Sequence, residues 1–113
     1  KDFVIQTGDG TSFGRKANTI VGEFLENGIE NNLSHERGVV SMARTSISMD
    51  SASSQFFIMH QDNKALDGKY AAFGRVIAGM DVVDTIASVV TDSNDKPLKD
   101  IVIDEIDFVK VVD

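Results

Sequence analysis

The apolar residues of this chain gather in short runs separated by polar and glycine-rich stretches, which is the pattern of strands and loops more than of helices. Phe3-Val4-Ile5-Gln6 is β-branched and aromatic and is halted by Gly8-Asp9-Gly10, so it predicts a strand entering a loop. From Gly8 to about Ala17 the residues are glycine, serine, threonine and charge, a surface loop. Thr19-Ile20-Val21 predicts a brief strand, Asn27-Gly28 a turn, and Glu30-Asn31-Asn32 polar coil. Further strands are expected at Gly38-Val39-Val40-Ser41-Met42-Ala43, at Gln55-Phe56-Phe57-Ile58-Met59 and from Tyr70 to Ile77. Thr45 to Ser54, rich in serine and threonine, reads as a long loop, and Leu66-Asp67-Gly68 as a turn. Val82, Val83, Ile86, Ala87 and Val90 recur at helical spacing, predicting one helix from about Met80 to Val90 with Asp81 and Asp84 in its first turn, where the dipole favours negative charge. Ile101 to Val112 predicts a last strand whose apolar phase shifts between Ile103 and Ile106, the mark of a bulge.

Several strands with one helix describe a mainly-β domain, a barrel or a sandwich. At 113 residues the chain has room for one domain, and 42% hydrophobic residues are enough for a core. The 11 basic and 18 acidic residues leave a net charge of −7, which argues against nucleic acid or an anionic membrane as partner. No cysteine is present, which removes disulfides, thiolate metal sites and cysteine nucleophiles and fits a reducing compartment, so a cytoplasmic location is expected. No apolar run approaches the roughly 18 residues that span a bilayer, and a soluble protein is expected.

Most candidate chemical motifs dissolve on inspection. Gly8, Gly10 and Gly14 match neither phosphate-binding spacing, and no strong helix follows them. Asp92-Ser93-Asn94-Asp95 opens like a calcium loop, but Lys96-Pro97 stands where a glycine should turn the chain, so an acidic turn is expected. His35 and His60 lack metal-ligand spacing and read as structural or solvent-facing. The serines at 51, 53 and 54 have no nucleophile-elbow context. What remains is a pairing of large apolar residues with amides: Phe3 near Gln6, and Gln55 near Phe57, with Leu66 further on. Gln55 and Phe57 share a strand face, whereas Phe3 and Gln6 need a twist or bulge to converge. Spacing alone favours core phenylalanines with incidental glutamines over a binding pocket.

Longer motifs shift that balance. Gly38-Val39-Val40-Ser41-Met42-Ala43-Arg44, Ser53-Ser54-Gln55-Phe56-Phe57-Ile58 and Leu66-Asp67-Gly68-Lys69-Tyr70-Ala71-Ala72-Phe73-Gly74-Arg75-Val76 together closely resemble the cyclophilin-type peptidyl-prolyl cis/trans isomerases. Phe3-Val4-Ile5-Gln6-Thr7-Gly8-Asp9 looks like that family's F-x-x-Q-G-G-D segment, and Gly79-Met80-Asp81-Val82-Val83 like the start of its second helix, so the resemblance covers essentially the whole chain. Met42-Ala43-Arg44-Thr45-Ser46, with Asn31-Asn32-Leu33 upstream, looks like the bacterial branch.

The resemblance implies a mainly-β fold, the closed eight-strand antiparallel barrel with capping helices, here incomplete at the N-terminus, with residues 1–113 as the C-terminal portion of the domain. It implies that Phe3, Phe57 and Leu66 form a pocket for a proline ring, with Val4 where many relatives carry methionine. Gln6 would contact the substrate carbonyl region and support the catalytic arginine; Met42, Ala43 and Gln55 would border the neighbouring groove. Arg44 stands where eukaryotic relatives often have an asparagine whose backbone binds the peptide. Ala65 replaces the tryptophan of strong cyclosporin binders and Tyr70 a common histidine, so weak cyclosporin binding is expected. The implied partners are proline-containing peptides and unfolded proteins, the parent protein is expected to be a monomer, and no metal or other cofactor is needed. The family's catalytic arginine lies in a Phe-His-Arg motif a few residues before the equivalent of Phe3, which places it upstream of Lys1. The alternatives to an active isomerase are a proline-peptide binding module and an inactive fragment.

Overall fold

The computed structural model describes residues 3–9, 18–110 and 112, so most of the loop expected between Gly8 and Ala17 lies outside the described residues. The strands are β1 (Val4–Thr7), β2 (Val39–Met42), β3 (Phe56–Met59) and β4 (Ala72–Arg75), followed by the helix α1 (Met80–Ala87). They form one antiparallel sheet in the order β1-β3-β2-β4. Strands β2, β3 and β4 fall inside the apolar runs anticipated above, trimmed at one or both ends, and β1 is shifted by one residue, losing Phe3 and gaining Thr7.

Register decides what meets what. Gln6 lies opposite Phe57, and Phe57 opposite Ser41, which itself lies opposite Ala72. These residues share one face of the sheet, since cross-strand partners point the same way. On that face Val39, Ala43, Phe57, Met59 and Ala72 form the buried core, with Val4, Leu66 and Tyr70 packed against it. Ile5, Val40 and Ile58 pair across the opposite face and are only half-buried.

Four expectations are corrected. The described residues make an open four-stranded sheet rather than a closed barrel, with β1 and β4 each hydrogen-bonded to one neighbour only. Residues 101–110, expected as the last strand, carry no strand and are exposed; their β-branched pattern has no sheet edge paired to it, and a strand without a ladder leaves its backbone groups to water. The bulge expected there occurs instead where β2 meets β4, between Val40 and Ser41. The brief strand expected at Thr19–Val21 is reduced to a single bridge, Ile20 to Ala52.

The helix ends at Ala87, earlier than its periodicity implies. The Ser88 hydroxyl donates to the Asp84 carbonyl at 2.7 Å, and the Val90 carbonyl accepts from Leu98 N–H at 3.0 Å, so the chain turns back instead of extending the helix. Val83 and Ala87 are its buried residues. Its outer turn is clamped to the sheet: Arg37 grips Asp84 with both terminal nitrogens at 2.7 and 2.8 Å, and His60 Nε2 lies 3.1 Å from the same carboxylate. The expected turns hold. Gly28 takes a left-handed conformation (φ 80°) that closes the short 3-10 turn at Leu25–Asn27. At 92–96 the Asp92 carboxylate accepts from Asn94 and Lys96 N–H, the acidic turn expected there.

Candidate functional site

The core face carries a hollow of about 90 Å³ lined by Phe3, Val4, Gln6, Ala43, Arg44, Phe57, Leu66 and Tyr70. All eight were singled out from the sequence. Strand β1 presents Val4 and Gln6 on the same side by its period of two, whereas Phe3 stands at a bend just before the strand, where alternation no longer dictates its direction. No bulge is needed to bring Phe3 and Gln6 together. Phe3 is anchored through its carbonyl, which accepts from His60 N–H at 2.9 Å. Gln55 joins from the rim: its Oε1 accepts from Gln6 Nε2 at 2.9 Å, and its carbonyl accepts from Ala43 N–H at 3.0 Å. The close approach of β1 to this segment depends on Gly8, whose φ is 93° and where an added Cβ would stand 2.5 Å from the Ser54 carbonyl oxygen.

Met42 is placed elsewhere. Ala43, the next residue along the chain, faces the hollow, so Met42 faces away and lines a larger cavity of about 220 Å³ with Ile20, Val21, Phe24, Ala52 and Phe73. That cavity is the more voluminous, but it lacks the convergence of aromatic walls and amides found in the hollow. The two meet at Arg44, which lines both.

A row of rings forms the back of the site. The Arg44 guanidinium carbon lies 5.1 Å from the centroid of Phe24 and 4.7 Å from that of Tyr70, a cation held between two aromatic faces. Tyr70 meets Phe57 edge to face at 5.7 Å, and Phe57 stacks on His35 at 6.0 Å. Behind Phe57, His35 and Ser41 are fully buried. His35 Nδ1 is 2.8 Å from Asp67 Oδ1, and its Nε2 is 2.9 Å from the Ser41 hydroxyl. An ionised carboxylate only accepts, so Nδ1 donates to Asp67, and Nε2 shares a hydrogen bond with the Ser41 hydroxyl. Burial would push the Asp67 carboxyl up, but the His35 N–H, the Ser34 hydroxyl and the His35 ring together hold it below the usual carboxylate range. The serine, histidine and aspartate resemble a hydrolytic triad in composition. With the serine and histidine sealed from solvent, the arrangement is a brace under the hollow.

Ser41, Asp67 and Phe24 are thus parts of the site that sequence reasoning passed over, while His35, read there as structural or solvent-facing, is structural. Asp67 adjoins Leu66 in a quoted motif, which was the available signal. Nothing in the spacing of His35 and Asp67, 32 positions apart, announced their contact. Among the described residues no group of histidine and acidic side chains could hold a metal ion, and no helix is long and apolar enough to cross a membrane.

The hollow is thus apolar, rimmed by amides and set on one face of an antiparallel sheet. The family model described as "Cyclophilin type peptidyl-prolyl cis-trans isomerase/CLD" matches residues 1–108, and the chain belongs to that family. It is 40% identical over 102 residues to peptidyl-prolyl cis-trans isomerase CYP18-2 of Arabidopsis thaliana, covering 89% of this chain and 61% of that protein. Isomerase ppi1 of Schizosaccharomyces pombe is 40% identical over 99 residues, covering 87% of this chain and 63% of the relative. The chain therefore spans about three-fifths of the curated relatives it matches. Among solved structures, a Cryptosporidium parvum cyclophilin-type isomerase crystallised in the presence of the dipeptide Ala-Pro superimposes with a TM-score of 0.72 at 31% identity, covering 87% of this chain and 63% of that one.

Proposed function

We propose that the chain is the larger part of a peptidyl-prolyl cis/trans isomerase domain and that the hollow receives the proline ring of its substrate. The observation that carries this is the convergence of Phe3, Val4, Phe57 and Leu66 on one small apolar space rimmed by Gln6, which bonds Gln55. The X-Pro bond is held planar by amide resonance behind a barrier of about 18–20 kcal/mol. Catalysis needs only to favour the twisted bond. The apolar walls desolvate the ring, the Gln6 and Gln55 amides orient the flanking carbonyls, and a preorganised donor to the prolyl nitrogen stabilises the pyramidal state. In the family that donor is the arginine of Phe-His-Arg, which the resemblance puts upstream of Lys1.

The Ala-Pro dipeptide named with the Cryptosporidium parvum relative supports proline-containing peptides as ligands. Unfolded proteins as substrates, a monomeric parent, weak cyclosporin binding and a cytoplasmic location are parts of the same reading. So is a bacterial source, which rests on Met42 to Ser46 and Asn31-Asn32-Leu33, although the relatives named above are eukaryotic. A closed barrel in the parent domain is supported by the free edges of β1 and β4, onto which further strands could add.

A second reading, peptide binding without turnover, is favoured by one observation. Arg44 is the charged residue lining the hollow, and two of its nitrogens are engaged by the carbonyls of Lys69 and Thr45. Exchange NMR on an Ala-Pro peptide separates the readings. The polypeptide of residues 1–113 should isomerise slowly, and joining an upstream segment bearing Phe-His-Arg should raise the rate by roughly a hundred- to a thousandfold. The same segment with alanine for the arginine should restore binding alone. Equal rates for the bare and extended forms would assign the donor to a residue within 1–113.

A further inference from the structure

The side chain of Arg44 sits at the junction of the hollow and the larger cavity, wedged between Phe24 and Tyr70. Its Nε donates to the Lys69 carbonyl at 2.8 Å and its Nη1 to the Thr45 carbonyl at 3.0 Å. These contacts fix the plane of the guanidinium but leave Nη2 without a hydrogen bond among the described residues. A planar cation locked on three sides and open on its last nitrogen is preorganised for an oxygen acceptor arriving from outside. No other cationic side chain lines either space, in a chain whose net charge is −7. The one acid lining them is Glu23, on the larger cavity only.

We propose that Arg44 is a specificity-determining residue, which selects peptides carrying an acidic side chain immediately beside the proline held in the hollow. The inference rests on the hollow being the proline site. An acidic side chain at the junction meets the open edge of the guanidinium. One directed deeper into the larger cavity meets Glu23, so the preference is confined to the residue adjoining the proline and does not extend along the peptide. A backbone contact at position 44 would survive exchange for asparagine; this charge selection would not.

The test is titration of the isomerase domain that carries this chain with blocked tetrapeptides in which glutamate, glutamine or lysine stands directly before or directly after a proline and the other residues are alanine. At one of the two positions the glutamate peptide should bind about three- to fivefold more tightly than the lysine peptide, the range of an exposed ion pair. That ratio should shrink between about 0.05 M and about 0.5 M salt as the Debye length shortens. Arg44→Gln should bring the ratio to about one whatever it does to affinity in general, and Arg44→Lys should keep it above one. The salt series uses the unaltered protein, so that arm of the test does not depend on the variants folding. A glutamate-to-lysine ratio of one in low salt, or a ratio that survives Arg44→Gln, would overturn the inference while leaving the proline site intact. If the glutamine peptide shows no binding at all, the proline site and the inference fall together.

Discussion

Asp67 Oδ1 lies 2.8 Å from Nδ1 of His35, and the same carboxylate accepts from the His35 backbone and the Ser34 hydroxyl at 2.7 Å each. One side chain thereby ties the turn that carries Leu66 to the segment leading into β2, directly beneath Phe57. Asp67→Ala would leave the buried ring of His35 without its acceptor. A buried donor left unpaired costs about 1–3 kcal/mol. The denaturant midpoint of Asp67→Ala should fall accordingly, and affinity for a proline peptide should fall with it, because Leu66 and Phe57 lose their common support. A variant with unchanged midpoint would show that the brace carries no stability.

Acid should weaken the fold through the same carboxylate. Asp67 is held below its ordinary range against the opposing effect of burial; Asp84 is held low mainly by the Arg37 hydrogen bonds, and Asp50 by the Gly22 N–H. A carboxyl with a depressed folded pKa binds protons more readily when unfolded, so its contribution is complete above the unfolded value of about 3.9 and is lost as the pH falls through the folded value. The urea midpoint should therefore be flat near neutrality and decline below about pH 4. Asp67→Asn should be less stable at neutral pH and show a shallower acid decline. An acid decline of the same steepness in Asp67→Asn would remove this carboxylate from the account.

Phe57 is both wall and core: it is 4% exposed, and its ring touches His35 on one side and Tyr70 on the other. Phe57→Ala should cost about 3–5 kcal/mol in stability if the cavity persists, with a smaller loss if the site collapses. Binding of a proline peptide, measured by titration under conditions where the variant is folded, should weaken as well. Unchanged affinity would move the proline site away from this hollow.

Ala65 lies exposed in the 3-10 turn Lys64–Leu66, beside the hollow and without a side chain large enough to extend its wall. Cyclosporin should bind weakly, and Ala65→Trp should tighten it by adding an indole face and donor. Equal affinity in calorimetric titration of the two forms would exclude this position as the determinant.

Local pattern was enough to place β1, β2, β3 and β4 near their observed positions, since each is an apolar run bounded by glycine or polar turns. The shared face of Phe57 and Gln55 was legible in strand alternation, and the proximity of Phe3, Val4, Leu66 and Tyr70 through motif resemblance. What the chain determined by itself was therefore residue chemistry along each strand; that Ala43 lines the hollow and Met42 the larger cavity, where both were expected at one groove, was decided by the structure. Tertiary structure alone decided the rest. Register set Gln6 against Phe57, the fold carried Asp67 back to His35, and Arg44 found its place between Phe24 and Tyr70. These are contacts across long sequence separations, where loop closure and packing choose among many equally plausible partners. The segment 101–110 shows the same limit from the other side. Its pattern is that of a strand, but a strand exists only where a neighbouring edge supplies its hydrogen bonds, and that is a property of the assembled sheet and not of the segment.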